Sequence, residues 1–393
     1  KAGEDVANLK LKRMAWVSEI KTDRFDSNFK LGYVNPRIPY RSTGFQMAYS
    51  AHNQKSFFGL RDYNIKQNSF YSSFLYNSII GNTMNKIKTG LNFYYDDFEE
   101  IVDQTKTNYN RIDKSIGGFF EYSYDNLDDV SLVAGLRYDI HNNLGSFITP
   151  RMHVRYQPFE KSVLRFSIGS GRKSSNIFSE NQEIFSTGRE IKIKNENGNF
   201  YGLNSEKALN YGLSFRQGFN LNNQDGDITI DYYVTDFENQ IVVDWEKQGQ
   251  LSFYNLEGKS YAKSFQIELD YSISNNINFK SAFKNYNVKK QYNSGFKQNP
   301  LTPKNRFFIN IDFFSTPKSN GSQWKFDFTY NRIGKQRLPI HSDQSLFNGW
   351  SPSYTLLNSQ LTRVFSENFE IYFGGENIGS YTQENPILSS ENT

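Results

Sequence analysis

The sequence predicts an all-β protein: an antiparallel β-barrel that crosses a membrane. Three observations predict it. Apolar and polar residues alternate with a period of two. The alternating segments reach about ten residues or more, and short and long links alternate between them.

About seventeen segments carry the strand pattern, over roughly 12–20, 27–35, 43–51, 68–79, 85–97, 112–125, 130–140, 149–158, 161–170, 206–219, 226–245, 250–272, 276–288, 303–314, 322–332, 352–364 and 367–376. Four of them show the alternation openly. Leu132, Ala134, Leu136 and Tyr138 share one face, as do Ile228, Ile230, Tyr232 and Val234. Phe265, Ile267, Leu269 and Tyr271 stand against Gln266, Glu268 and Asp270. Trp324, Phe326, Phe328 and Tyr330 stand against Lys325, Asp327, Thr329 and Asn331. Ordinary strands average about 5–6 residues, whereas a tilted strand needs about 9–11 to cross a bilayer.

After Ser123 the short links fall at 125–129, 158–161, 221–226, 274–276, 315–321 and 366–368, and they are rich in Asn, Asp, Gly and Pro. The long links at 141–149, 170–205, 289–302 and 333–351 fall between them. That asymmetry predicts short periplasmic turns and long extracellular loops, with the link at 20–27 a short one on the outer side. Tyr330, Tyr286 and Trp245 are expected in aromatic girdles. A soluble β array is the alternative for the same periodicity.

Composition narrows the classes. The 393 residues include 26 Tyr, 35 Phe and 4 Trp, yet only 37% are hydrophobic. Mean hydropathy is −0.69. So many aromatics argue against intrinsic disorder, and no apolar run is long enough for a membrane helix. With no cysteine, disulfide scaffolds, thiol catalysis and Cys-ligated metals are excluded. A net charge of +4, mixed along the chain, is no nucleic-acid signature. The four His form no HExxH or other paired metal spacing, and GxSxG and phosphate-loop motifs are missing. No enzyme, cofactor, catalytic residue or metal site is therefore expected.

The second half resembles the C-terminal barrel region of TonB-dependent outer-membrane receptors, most closely the Bacteroidetes type. The resemblance rests on SIGSGRKSSNIFSE (167–180), GLNSEKALNYGLSF (202–215), YAKSFQIELDYSI (261–273), LTPKNRFFINIDF (301–313) and FEIYFGGENIGSYTQENP (369–386), in the family's order. It covers about 161–386. It implies a barrel of about 22 strands with a plugged lumen. No plug and no final aromatic residue are recognised. Residues 1–393 are therefore expected to be a partial barrel, with the N-terminal plug and the closing C-terminal strand absent.

The resemblance implies an active transporter in the bacterial outer membrane that imports a scarce ligand, first an iron siderophore or other metal chelate. Its partners would be outer-membrane lipid, the TonB complex through the plug, and the small-molecule ligand. The alternatives are a passive porin-like channel, a glycan- or peptide-importing receptor of the same family, and a soluble or surface-displayed β protein that binds glycans. Candidate ligand-binding residues lie in two outer loops. The stretch 52–64 offers His52, Phe57, Phe58, Arg61 and Tyr63, and 170–205 offers Arg172, Lys173, Asn176, Phe178 and Arg189. Basic and aromatic side chains at a mouth attract anionic chelates and stack on them, although the same residues would also suit an ordinary surface loop. His52, His141 and His341 are expected in outer loops, and Asp96, Asp97, Glu99 and Glu100 in a solvated acidic loop. Arg137, Arg155, Arg165, Arg216, Lys325 and Asp327 are expected inside the lumen, where they satisfy each other or a plug, with guidance of a substrate the alternative.

Overall fold

The computed structural model describes residues 17–102, 107–339 and 349–383. Its strands are β1 (Ser18–Val34), β2 (Ser42–Phe58), β3 (Arg61–Ile80), β4 (Asn82–Val102), β5 (Thr107–Asp125), β6 (Val130–His141), β7 (Gly145–Phe159), β8 (Ser162–Lys173), β9 (Glu190–Ile193) and β10 (Glu206–Leu221). They continue as β11 (Gln224–Asn239), β12 (Ile241–Asp244), β13 (Gln250–Asn255), β14 (Ser260–Ser274), β15 (Ile277–Tyr292), β16 (Gly295–Gln298), β17 (Asn305–Phe314), β18 (Gln323–Ile333), β19 (Tyr354–Ser366) and β20 (Phe369–Gly375).

One 17-stranded sheet forms the wall. It is an antiparallel meander in which each long strand pairs with the next, from β1–β2 through β8–β10, β11–β14 and β15–β17 to β19–β20. The short β16 only folds back on β15. Most inner ends of the strands are joined by links of one to four residues, the exceptions being 35–41 and 315–322. Between β10 and β11, Asn222 and Asn223 take φ of 54° and 60°, the left-handed backbone of a two-residue hairpin turn.

Register carries one apolar belt across the wall. Leu31 lies opposite Phe45, Phe45 opposite Phe74, and Phe74 opposite Leu91. Farther along, Tyr232 meets Phe265, Ile230 meets Ile267, and Phe313 meets Phe326, which meets Leu361. Phe45, Phe74, Leu91, Phe265, Ile267, Phe326 and Leu361 are all exposed on the protein surface. Soluble monomers rarely expose apolar patches above a few hundred Å²; a bilayer covers this one. The other face is polar. There Asn310 donates to Asp327 at 2.6 Å, and Arg216 reaches Asp227 at 2.9 Å.

Luminal aromatics lie over glycines. Tyr233 is the register partner of Gly212, and its ring occupies the space a Gly212 side chain would fill. Phe119 stands over Gly90 in the same way.

Several segments depart from the sequence expectations. No turn interrupts β1 at 20–27: it is one strand of 17 residues, and the part of the expected 12–20 segment before residue 17 lies outside the described residues. The stretch 52–64 is a hairpin, not a loop, with Gly59–Leu60 as its two-residue tip and Gly59 at φ 61°. Asp96–Glu100 lie on β4 rather than in a solvated loop, and Glu100 is buried. His52 and His141 are on strands; His341 lies outside the described residues. The expected 226–245 and 250–272 strands each break. β12 and β13 leave the wall, and β13 pairs in parallel with β9.

Candidate functional site

β3, β4 and β5 are 20, 21 and 19 residues long, about twice what a crossing needs. Their outer parts stand clear of the membrane, where the alternation of lipid and lumen no longer applies. A cap closes against them. It consists of the β8–β10 connection, with a 3-10 helix at Ser179–Ser186 and β9, together with β12 and β13.

The main apolar core of the described residues is here rather than in the wall. Phe178, Ile184, Phe185 and Leu203 from the connection pack with Tyr63, Phe98 and Val102 from the wall and with Leu251 and Phe253 of β13. Phe185 stacks on Tyr63 with centroids 4.9 Å apart. Full burial of side chains of this size contributes about 1.5–3 kcal/mol each.

Polar latches accompany the core. The Tyr63 hydroxyl donates to Glu100 at 2.7 Å, and the Tyr201 hydroxyl donates to the second Glu100 oxygen at 2.5 Å. Arg61 donates to the carbonyls of Ile184 and Arg189 at 3.1 and 2.8 Å. Arg111 donates to Asn176 and lies over the rings of Phe98 and Phe200 at 4.7 and 5.2 Å. Arg189 donates to the Trp245 carbonyl at 2.7 Å and lies over its ring. In β13 the Tyr254 hydroxyl donates to Asp244 at 2.5 Å; burial, together with that carboxylate, raises the phenol and keeps it a donor.

A third anchor joins two outer segments to the cap. Glu246 accepts from Lys297 at 2.8 Å and from Arg337 at 2.5 Å. Burial works to raise the Glu246 carboxyl, but the hydrogen bonds from Lys297 and Arg337 outweigh it and hold the group below its ordinary range.

Within the wall lies an open cavity of about 730 Å³ that reaches the start of the β8–β10 connection at Ser174. Tyr71, Ser73, Asn92, Arg137, Asp139 and Arg151 line its wall. Asn92 donates to Tyr71 and Ser73, each at 2.9 Å, and accepts from Arg137 at 2.9 Å. Arg137 also grips Asp139 through two bonds of 2.6 Å. Arg151 pairs with Glu121. The surface is preorganised and offers hydroxyl, amide and guanidinium groups together, so it suits a polar solute.

The sequence-predicted residues are distributed as follows. Phe57, Tyr63 and Phe178 are buried in or beside the cap core, and Phe58 stacks on Phe185 at 5.8 Å. Arg61, Asn176 and Arg189 hold the cap by the contacts above. Lys173 pairs with Glu180 at 2.6 Å within the connection. Arg172 lies 5.2 Å over Phe147 and lines the cavity with Lys173. His52 is half-buried on β2, between Arg24 and Gln67. Trp245 belongs to the cap rather than to a girdle. Among the luminal charges, Arg155 bonds Gln157, and Arg155 and Arg165 face each other across β7 and β8.

Sequence reasoning missed Arg111 and Tyr201, and it placed Glu100 in a solvated loop rather than in the cap junction. One signal was available for Arg111. Arg-x-Asp occurs at 24–26, 111–113 and 137–139. Residues two apart share a face of a strand, and each of these arginines bonds its aspartate.

Residues 8–378 match the family model described as TonB dependent receptor-like, beta-barrel. No curated protein matches the chain. Among solved structures, a variant of the ferric enterobactin receptor PfeA from Pseudomonas aeruginosa, in complex with enterobactin, is similar at 13% identity and a TM-score of 0.68, covering 91% of this chain and 57% of that one. The ferric-catecholate import receptor Fiu from E. coli K12 is similar at 11% identity and 0.67, covering 94% and 61%. The copper transporter OprC is similar at 11% and 0.67, covering 91% and 61%. At these identities the likeness is one of fold, and the chain spans about three fifths of their length.

Proposed function

The chain belongs to the TonB-dependent receptor β-barrel family of Gram-negative outer-membrane proteins, and on that premise we propose that it is the barrel of an active importer for a metal chelate, first an iron siderophore. The observation that carries this reading is the polar cavity of about 730 Å³ enclosed by β2–β8 and reaching the start of the β8–β10 connection. Its volume falls within the roughly 300–1,000 Å³ of small-molecule sites. Arg137, Arg151 and Arg172 give it cationic groups, and Tyr71 and Asn92 give it neutral donors and acceptors. Ferric chelates of hydroxyl and carboxyl donors carry negative charge and peripheral oxygens, which such groups bind. The solved neighbours named for enterobactin and ferric catecholate support the same ligand class.

In this reading the cap and rim meet the ligand, the cavity holds it, and a plug in contact with the TonB complex supplies the energy for release inward. The barrel does no covalent chemistry. Uptake of labelled ferric siderophores and of glycan and peptide ligands, with and without TonB, tests the proposal. Siderophore uptake that requires TonB and falls in Arg137→Ala supports it, and uptake indifferent to TonB overturns it. The long connection folded against the wall is also what a constricted passive channel would have, and TonB-independent flux of small solutes would select that reading. TonB-dependent uptake of glycans or peptides instead would retain the family mechanism and replace the ligand.

A further inference from the structure

On the membrane side of the wall, four side chains form a cluster unrelated to the cavity. Tyr261 and Lys263 are on β14, Lys289 on β15 and Phe296 on β16. Tyr261 is the register partner of Lys289, and its ring meets that of Phe296 edge-on at 5.7 Å. The Lys263 amine lies 4.7 Å from the Tyr261 ring centre, and the Lys289 amine 5.8 Å from that of Phe296. On β14 these positions continue the outward stripe of Phe265, Ile267 and Leu269. Neither lysine forms an ion pair among the described residues, whereas the luminal Lys280 pairs with Asp270 at 3.4 Å.

The height of the cluster identifies its surroundings. Ten residues separate Ile273, at the inner end of β14, from Lys263. At about 3.3 Å per residue and a tilt of about 40°, that is roughly 25 Å, the height of a barrel's apolar band. Both amines therefore sit where the outer leaflet's hydrocarbon gives way to headgroups. The aromatic rings fix the lysine stems there. The neighbouring carboxylate, Asp236 opposite Tyr261, is occupied by the Tyr211 hydroxyl at 3.2 Å. Even counting it, the cluster keeps an excess of positive charge.

We propose that Lys263 and Lys289, framed by Tyr261 and Phe296, bind the phosphorylated headgroup of an outer-leaflet lipid. The amines take the phosphate oxygens, and the two rings pack beside the first carbons of the acyl chains.

The test uses the full chain in non-ionic detergent and reads retained lipid by native mass spectrometry. Diphosphorylated lipid A, its dephosphorylated form and excess inorganic phosphate are the probes. The wild type is expected to retain the phosphorylated lipid and not the dephosphorylated one. Lys263→Gln with Lys289→Gln should lower retention at least tenfold, since each lysine at an anionic headgroup surface is worth roughly fivefold. Lys263→Arg with Lys289→Arg should retain lipid, as should Lys280→Gln in the lumen. Heat-modifiable migration checks that each variant is folded. Equal retention by the double Gln variant, or equal binding of dephosphorylated lipid, overturns the proposal. Displacement of the lipid by inorganic phosphate at parity overturns it in favour of a free-anion site.

Discussion

Arg111 Nε lies 2.9 Å from the Asp113 carboxylate two residues along β5, and the same guanidinium covers the Phe98 ring at 4.7 Å. The pair is nearly dry, with side chains 11% and 2% exposed. Arg111 thereby joins wall to cap, because its other donors reach Asn176 and the Ser175 carbonyl. Arg111→Ala leaves the buried Asp113 with the Asn143 amide but no counter-charge, and breaking a buried pair costs about 3–5 kcal/mol. The midpoint of heat-modifiable migration should fall, and protease should cut within 174–205 faster. An unchanged cleavage rate would show that Arg111 does not hold the cap.

Glu100 receives one hydroxyl from each side of the same junction, Tyr63 from the wall and Tyr201 from the cap. Tyr201→Phe removes a donor to a buried carboxylate and should cost about 1–3 kcal/mol. A double-mutant cycle with Glu100→Gln should show coupling above about 0.5 kcal/mol. Additive effects would mean that the hydroxyl and carboxylate act independently.

How much of this was legible follows from where each face points. Between lipid and lumen the period of two is enforced, so β14 and β18 could be read from Phe265–Tyr271 and Trp324–Tyr330. Above the membrane both faces of a strand meet water or protein, and the alternation lapses. That is why KTDRFDS in β1 and HNQKSFF in β2 read as links although both are strand. The cap was illegible for another reason. Its core combines wall, connection and β13, from Tyr63 to Phe253 along the chain, and nothing local tells a ring that will be buried from one that will stack on a ligand. In the sequence alone Phe178 and Tyr63 read as aromatic mouth residues; their position in the core depends on those distant partners.

Glu246 sets a pH dependence for the outer rim. Its folded carboxyl is held below the ordinary range by Lys297 and Arg337 despite burial. As pH falls below that range, the unfolded chain takes up a proton that the folded state still refuses, so stability falls. The contribution is full above the ordinary carboxylate value, is lost as pH drops through the depressed folded value, and is flat below it. Thermal midpoints measured from neutral to acid pH should therefore decline less steeply in Glu246→Gln than in the wild type. Parallel acid limbs would remove Glu246 as a contributor.

Gly212 tests how the luminal face is packed. It pairs with Tyr233, and a methyl at 212 would coincide with the Tyr233 ring. Because β10 is hydrogen-bonded on both sides, to β8 and β11, the backbone cannot retreat and the ring must leave its position. Gly212→Ala should therefore cost about 1–3 kcal/mol, the range for overpacking. Tyr233→Ala alone should also destabilise, by uncovering the strand backbone. Combined, the two changes should cost less than their sum, since the methyl then occupies space the ring has vacated. Detergent-solubilised thermal unfolding of the three variants measures this, and strict additivity would mean that ring and glycine are not packed as a unit.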